Sequence, residues 1–230
     1  MAEHGPLVDP ATTPAWLRPV VAATRGLDPA MFRRISPPTA DARDAAVLIL
    51  LGEHESHGPD VLLQLRADRG GAHSGQVAFP GGSSEPEDDG PVATALREAV
   101  EETGLDPLGV RPVALLPRLH IPVSRFHVTP VIAHWEKPSR VWAVDPAESA
   151  AVVRAPVADL ADPANRFMCR HSSGFVGPAF ALPGMLVWGF TAALLTLLLE
   201  LGGWARPWDG SDIRDLDAAW RSVKQGVGEV

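Results

Sequence analysis

The stretch FPGGSSEPEDDGPVATALREAVEETGL, residues 79 to 105, decides how this chain folds. It opens on paired glycines, runs through an acidic loop and ends in a pattern with helical spacing. Val92, Ala95, Leu96, Ala99 and Thr103 recur at three- and four-residue steps, which places them on one helical face. Asp89 or Gly90 as N-cap, Pro91 as first helical residue and Gly104 as stop predict a helix over about 91–103. Gly81 and Gly82 follow a short strand expected at Gln76 to Phe79, and paired glycines let the main chain approach an ion or a phosphate closely.

The charges on that helix are badly placed for stability. Glu98 and Glu102 stand four residues apart and Glu101 three from Glu98, so three carboxylates share one turn. Glu101 and Glu102 also lie at the negative end of the helix dipole, where Lys or Arg would be favoured. Arg97 can pair with Glu101 at i, i+4, which leaves Glu98 and Glu102 uncompensated. A hard divalent cation resolves the conflict, because Mg²⁺ takes one or two carboxylates together with substrate phosphate oxygens and water. A solvated acidic face reads the glutamates alone equally well. The glycines and the acidic loop before the helix (Glu85, Glu87, Asp88, Asp89) tip the reading towards an ion.

Outward from this segment the pattern is mixed α/β. Ala45–Leu51 and Val61–Leu65 read as strands, with Glu53 to Asp60, including Gly58-Pro59, as the turn between them. Further strands are expected at Val110–Leu116, Phe126–His134 and near Ala151–Val153, and a short helix around Val157–Leu160. An apolar helix is expected from about Trp188 to Leu201 and a last helix from about Ser211 to Val223. Residues 1–40 are rich in Pro and Ala and read as an extension, with one short helix around Trp16-Leu17 and Val20-Val21; residues 41–230 read as one domain. Phe180 to Leu199 is long and apolar enough to raise a membrane span. Pro183-Gly184 interrupts it and neither end carries a Lys/Arg bias, so a buried helix is expected instead.

With 230 residues, 46% of them hydrophobic, the chain is an ordinary globular one. A net charge of −8 gives no global field to attract nucleic acid or an anionic membrane, so neither is expected as a partner. An acidic protein that handles an anion needs local basic side chains or a cation. Cys169 is the one cysteine, which excludes an internal disulfide and suits a reducing cytoplasm. The start, MAEHGPLVDP, carries no secretory pattern, and the expected location is cytoplasmic. Cys169 and His171 are too isolated for a zinc site, and no glycine-rich loop of the dehydrogenase or kinase type is present. Trp188 is expected to pack in the core.

Gly81-Gly82, the acidic loop and REAVEETGL together resemble the Nudix box, a glycine, an acidic residue, then Arg-Glu-aliphatic-x-Glu-Glu-x-Gly-aliphatic. Arg97, Glu98, Ala99, Glu101, Glu102, Gly104 and Leu105 match every constrained position of its second half. The first half is one residue longer than the common spacing, so either Asp88 or Asp89 takes the acidic place. That longer loop, and LLQLRADRGGAHSGQVAFPGG at 62–82, resemble the branch that contains coenzyme A pyrophosphatases. Leu62, Leu63, Arg66, His73, Gly75, Gln76 and Phe79 match there, while Gln64 stands where Thr is usual and Gly71 where a basic residue is common. FHVTPVIAHW (126–135) and VWGFTAALL (187–195) are similar to that branch as well.

The resemblance implies an α/β/α sandwich around a mixed sheet and a hydrolase that uses Mg²⁺ or Mn²⁺. It implies Glu98 and Glu102 as principal metal ligands, Glu101 sharing that role, the Gly82 carbonyl as a further ligand and Arg97 as an anchor. Arg66, Gln76, Phe79 and Gly81 are the implied substrate contacts, with Arg66 and Arg69 able to fork onto phosphate oxygens. The implied substrate is a small diphosphate, coenzyme A-like, cut to 3′,5′-ADP and 4′-phosphopantetheine. The general base stays open between Glu98, Glu101 and a carboxylate from another loop, Glu148. Cleavage of ADP-ribose, NADH or another nucleoside diphosphate derivative is the nearest rival, and a nucleotide-binding sensor without activity the next. The resemblance also suggests a homodimer.

Overall fold

The computed structural model describes residues 4–28, 42–67, 75–121 and 125–225. The expected boundary at residues 40 and 41 falls outside them, as do Arg69, Gly71 and His73. In chain order the regular elements are β1 (Gly5–Pro6), α1 (Arg18–Ala23), β2 (Arg43–His54), β3 (Gly58–Arg66), β4 (Val77–Ala78) and β5 (Gly81–Ser83). Then come α2 (Gly90–Thr103), β6 (Val110–Leu115), β7 (Leu119–Ile121), β8 (Phe126–Trp135), β9 (Ser149–Pro156) and α3 (Val157–Ala161). The last are β10 (Arg166–Arg170), β11 (Val176–Leu182), β12 (Met185–Val187), α4 (Gly189–Leu201), β13 (Ile213–Asp215) and α5 (Leu216–Gln225).

Among the described residues the main sheet runs β1-β6-β8-β2-β3-β4, with β5 on β2, β7 on β8 and β9 on β3. Only the β2–β8 pair is parallel, Ala45 opposite Val128 and Leu51 opposite His134, so the sheet is mixed. Strand periodicity builds the layers. Ala46, Leu48, Leu50, Leu62, Val131, Ala133 and Trp135 point to one face and meet Ala95, Ala99 and Leu105 of the glutamate helix region. Ile49, Leu51, Val61, Leu63 and Ile132 point to the other, against Val157 and Leu160 of α3 and Leu194, Leu195 and Leu198 of α4. Each fully buried Leu or Ile here contributes roughly 1.5–3 kcal/mol. This is the expected sandwich of helices around a mixed sheet.

Several expectations need correction. The β2–β3 turn is residues 55–57, and Gly58-Pro59 already lie in β3, Gly58 at φ 72°. The last helix begins at Leu216, because Ile213–Asp215 pair in parallel with β10 as β13. Residues 166–187 form strands that the sequence reading did not separate, giving a second sheet in the order β12-β11-β10-β13. The apolar run from Phe180 therefore breaks at Pro183-Gly184 into the β11–β12 hairpin and then α4. No helix among the described residues is long and apolar enough to cross a membrane. The described part of the Pro/Ala-rich segment packs on the domain: Leu17, Val20 and Val21 are fully buried, and Gly5 pairs with Leu115.

Candidate active site

The glutamate helix is held in place from its N-terminal loop. Arg97 donates from Nε to Asp88 Oδ1 at 3.1 Å, from Nη2 to Asp88 Oδ2 at 3.1 Å and from Nη2 to the Ser83 carbonyl at 2.9 Å. Asp88 also accepts from the Glu85 N–H at 2.9 Å and from Thr94 Oγ1 at 2.9 Å. It is thus Asp88, and not Asp89, that the structure pairs with Arg97. The Arg97 guanidinium holds the Asp88 carboxyl far below the usual carboxylate range, and Asp88 in turn raises Arg97. At the other end Gly104 closes the helix in the left-handed conformation, φ 64°, with its N–H on Val100. Asp89, expected as a cap, makes no side-chain capping bond.

Glu98 and Glu102 face β5. A Cβ on Gly82 would lie 2.6 Å from Glu98 Oε2, so the Glu98 carboxylate rests directly against the glycine main chain. Glu102 Oε2 accepts from the Gly81 N–H at 2.9 Å and from Gln64 Nε2 at 2.7 Å. Gly81 itself has no room for a side chain, because Val47 Cα would be 2.6 Å from its Cβ. Burial raises the pKa of Glu98, partly opposed by Arg97. Burial also lifts Glu102 from 4.5 to about 7, opposed by its two N–H donors and by Arg66 and helped by Glu98. Arg97 Nη1 reaches Glu98 Oε1 at 3.2 Å as well as Glu101 Oε2 at 3.1 Å, which corrects the expectation that Glu98 has no partner. Glu102 forms no ion pair among the described residues.

The remaining expected residues separate. Arg66, at the end of β3, pairs with Ser149 across a bulge and is close enough to act electrostatically on Glu102. The Gln76 carbonyl accepts from the Arg66 N–H at 2.9 Å, so Gln76 braces the strand end. Phe79, expected at the substrate, is instead a core residue, 3% exposed and packed on the α4 side of the sheet. Glu101 is exposed and held by Arg97, apart from the Glu98–Glu102 pair. Glu148 is exposed on the loop before β9, where its carbonyl accepts from the Ala67 N–H at 2.8 Å, which brings it to the Arg66 edge of the site. Trp188 packs beside the second sheet, stacked on His171 at 5.5 Å.

Two residues that the sequence did not assign to the site contact Glu102 or its partner. Gln64 is fully buried and links Glu102 to Ser149, whose Oγ donates to Gln64 Oε1 at 2.7 Å. The signals for Gln64 were a polar residue inside the apolar run VLLQL and its departure from the usual Thr of the matching segment; Ser149, 85 positions away, gave none.

Among the described residues no three His, Cys, Asp or Glu side chains converge to hold an ion by themselves. The arrangement nevertheless suits a hard cation that draws its other ligands from substrate and water. Two partly buried oxygen donors lie against a glycine main chain, and one of them forms no ion pair among the described residues.

A family model described as NUDIX domain matches residues 41–168, more than half of the chain. A Nudix hydrolase NudL from Salmonella heidelberg is 38% identical over 125 residues, covering 54% of this chain and 63% of that protein. A protein of the same name from Pectobacterium atrosepticum is 43% identical over 95 residues, covering 41% and 48%. The chain thus spans less than two-thirds of the length of these relatives. A solved structure of a Nudix hydrolase from M. smegmatis, RenU, is similar at a TM-score of 0.49 and 21% identity, over 73% of this chain and 90% of that one.

Proposed function

The chain belongs to the Nudix domain family, and from that premise we propose that it is a divalent-metal-dependent hydrolase of the coenzyme A diphosphate bond. The products are 3′,5′-ADP and 4′-phosphopantetheine, or its acyl form from an acyl-coenzyme A. The observation that carries the reading is Glu98 and Glu102 set side by side against Gly81-Gly82, with Glu102 partly buried and unpaired.

In this reading Glu98 and Glu102, with the Gly82 carbonyl, hold Mg²⁺ or Mn²⁺, and Glu101 lends charge from the rim. When bound, the cation neutralises the diphosphate and lowers the pKa of the attacking water. Arg97, locked onto Asp88 and Ser83, keeps the Gly81–Ser83 strand and the glutamate helix in register. Arg66 meets a phosphate oxygen from the end of β3. The proton of the attacking water would go to Glu98, Glu101 or Glu148, the three candidate bases.

Support for coenzyme A among diphosphates comes from the resemblance of the segment at 62–82, whose described part brings the matching Arg66 and the glycine Gly81 to Glu102. The test is a substrate panel of coenzyme A, an acyl-coenzyme A, ADP-ribose and NADH with Mg²⁺ or Mn²⁺, products identified by mass. Release of 3′,5′-ADP from coenzyme A above all other cleavage is expected. Cleavage of ADP-ribose or NADH alone would keep the glutamate site and discard coenzyme A. A folded protein that cleaves nothing but binds nucleotide would be a sensor.

A further inference from the structure

We infer that Gln64, held by Ser149, is a positioning residue that presents only the Oε1 atom of Glu102 to the cation; this rests on the proposed metal role of Glu102. Gln64 lies on β3 between Leu63 and Leu65, fully buried, on the same face of the sheet as Leu62 and the glutamate helix. Its strand neighbours show that an aliphatic side chain satisfies this layer, so a buried amide has to be accounted for by its partners. It has one for each end. Nε2 donates to Glu102 Oε2 at 2.7 Å and Oε1 accepts from Ser149 Oγ at 2.7 Å. The reversed amide would set its carbonyl against a carboxylate oxygen, two acceptors face to face, so the orientation is fixed by chemistry.

The Gly81 N–H donates to the same Glu102 Oε2 at 2.9 Å. With two N–H donors that oxygen is committed to the protein, and Oε1 is left for an ion. The main chain of Glu102 is pinned too, its carbonyl accepting from the Val144 N–H at 3.2 Å. Glu102 is therefore gripped by β3, by β5 and by the 142–149 segment together. A ligand carboxylate oriented by such outer partners binds its metal more tightly than a loose one, typically by 10- to 100-fold.

The test uses Gln64→Met, which keeps the length and removes both polar ends, Ser149→Ala and the double variant, with Glu102→Gln beside them. Mn²⁺ binding is measured without substrate, and the Mn²⁺ concentration for half-maximal coenzyme A cleavage separately. Gln64→Met is expected to weaken Mn²⁺ binding about tenfold, with the KM for coenzyme A at saturating metal unchanged. Ser149→Ala should weaken it less, Ser149→Thr should restore it, and the double variant should match Gln64→Met, because Ser149 acts through Gln64. If Gln64→Met does not fold, Ser149→Ala carries the test, and unchanged Mn²⁺ affinity in it overturns the relay. Losses that simply add in the double variant also overturn it. Should Glu102→Gln bind Mn²⁺ as the parent does, the metal role itself is wrong; should it lose Mn²⁺ while Gln64→Met does not, only the positioning role fails.

Discussion

Asp60 and Glu102 are buried or partly buried carboxylates at the same face of the main sheet, and the protein treats them in opposite ways. Asp60, fully buried on β3, has Arg154 Nη2 at 2.7 Å and His57 Nε2 at 2.9 Å, with the Arg154 guanidinium itself lying over the Trp135 ring at 4.9 Å. Its charge is answered inside the fold. Glu102 receives two N–H donors and forms no ion pair among the described residues, and it stands one helical turn from a second carboxylate, Glu98. A buried acid with its own arginine is architecture. One that is given hydrogen bonds for orientation but no ion-paired partner, with Arg66 acting only through space, is set up to receive a countercharge from outside.

The largest effect that sharpens this contrast is on turnover. Glu98→Gln should remove about a thousandfold of the hydrolysis, since losing a cation's charge stabilisation is worth several kcal/mol, while circular dichroism shows an intact fold. Normal activity in folded Glu98→Gln protein would sink the ligand assignment. On the other side of the comparison, Arg154→Met leaves Asp60 buried without its arginine and should cost about 3 kcal/mol of stability in urea titration. Its metal dependence should not change. A metal-dependence defect in that variant would break the distinction between the two acids.

The pH dependence follows from Glu102, lifted by burial from 4.5 to about 7. The unfolded chain gives up this proton near its ordinary value, and the folded chain only near 7. Stability without metal is therefore greatest below the unfolded value and falls as pH rises towards 7, by on the order of 2–3 kcal/mol. A cation that replaces the proton cancels the loss. The rise in Tm on adding Mn²⁺ should thus be larger at about pH 8 than at about pH 5, and an equal rise at both would contradict the assignment. Asp88→Asn should release Arg97 from its loop and raise the Mn²⁺ needed for half-maximal rate about tenfold, with kcat at saturating metal nearly kept. Arg66→Ala should raise the KM for coenzyme A by roughly fivefold, the loss of about one charge-assisted bond to a phosphate; an unchanged KM would count against contact.

The glutamate helix was legible in the sequence because its signals are local. The apolar face at three- and four-residue spacing, Pro91, Gly104 and the misplaced acids all lie within 15 residues, and α2 runs Gly90–Thr103 accordingly. Both faces of β2 were readable only as one apolar run. Which side each residue serves depends on layers brought from elsewhere, Ala99 on one face and Leu195 on the other. The second sheet was missed because β10, β11 and β12 are short and pair mainly with one another, and the apolar residues before Pro183-Gly184 carry no signal that tells a strand from other buried structure. In the site, Arg97's pairing with Glu101 was legible at i, i+4, but its stronger hold on Asp88 depends on how the loop turns back. The Gln64–Ser149 link joins positions 85 apart and has no sequence signature at all.

The central claim is that Glu102 takes its countercharge from a bound cation, as Asp60 takes its own from Arg154. The most direct measurement is a Mn²⁺ titration, followed through the signal of the free ion, on the parent protein, Glu102→Gln and Arg154→Met. The account predicts that the parent and Arg154→Met bind alike and that Glu102→Gln loses tenfold or more in affinity, roughly the lower end of what a ligand's partners alone are worth. Glu102→Gln binding Mn²⁺ as tightly as the parent would contradict it.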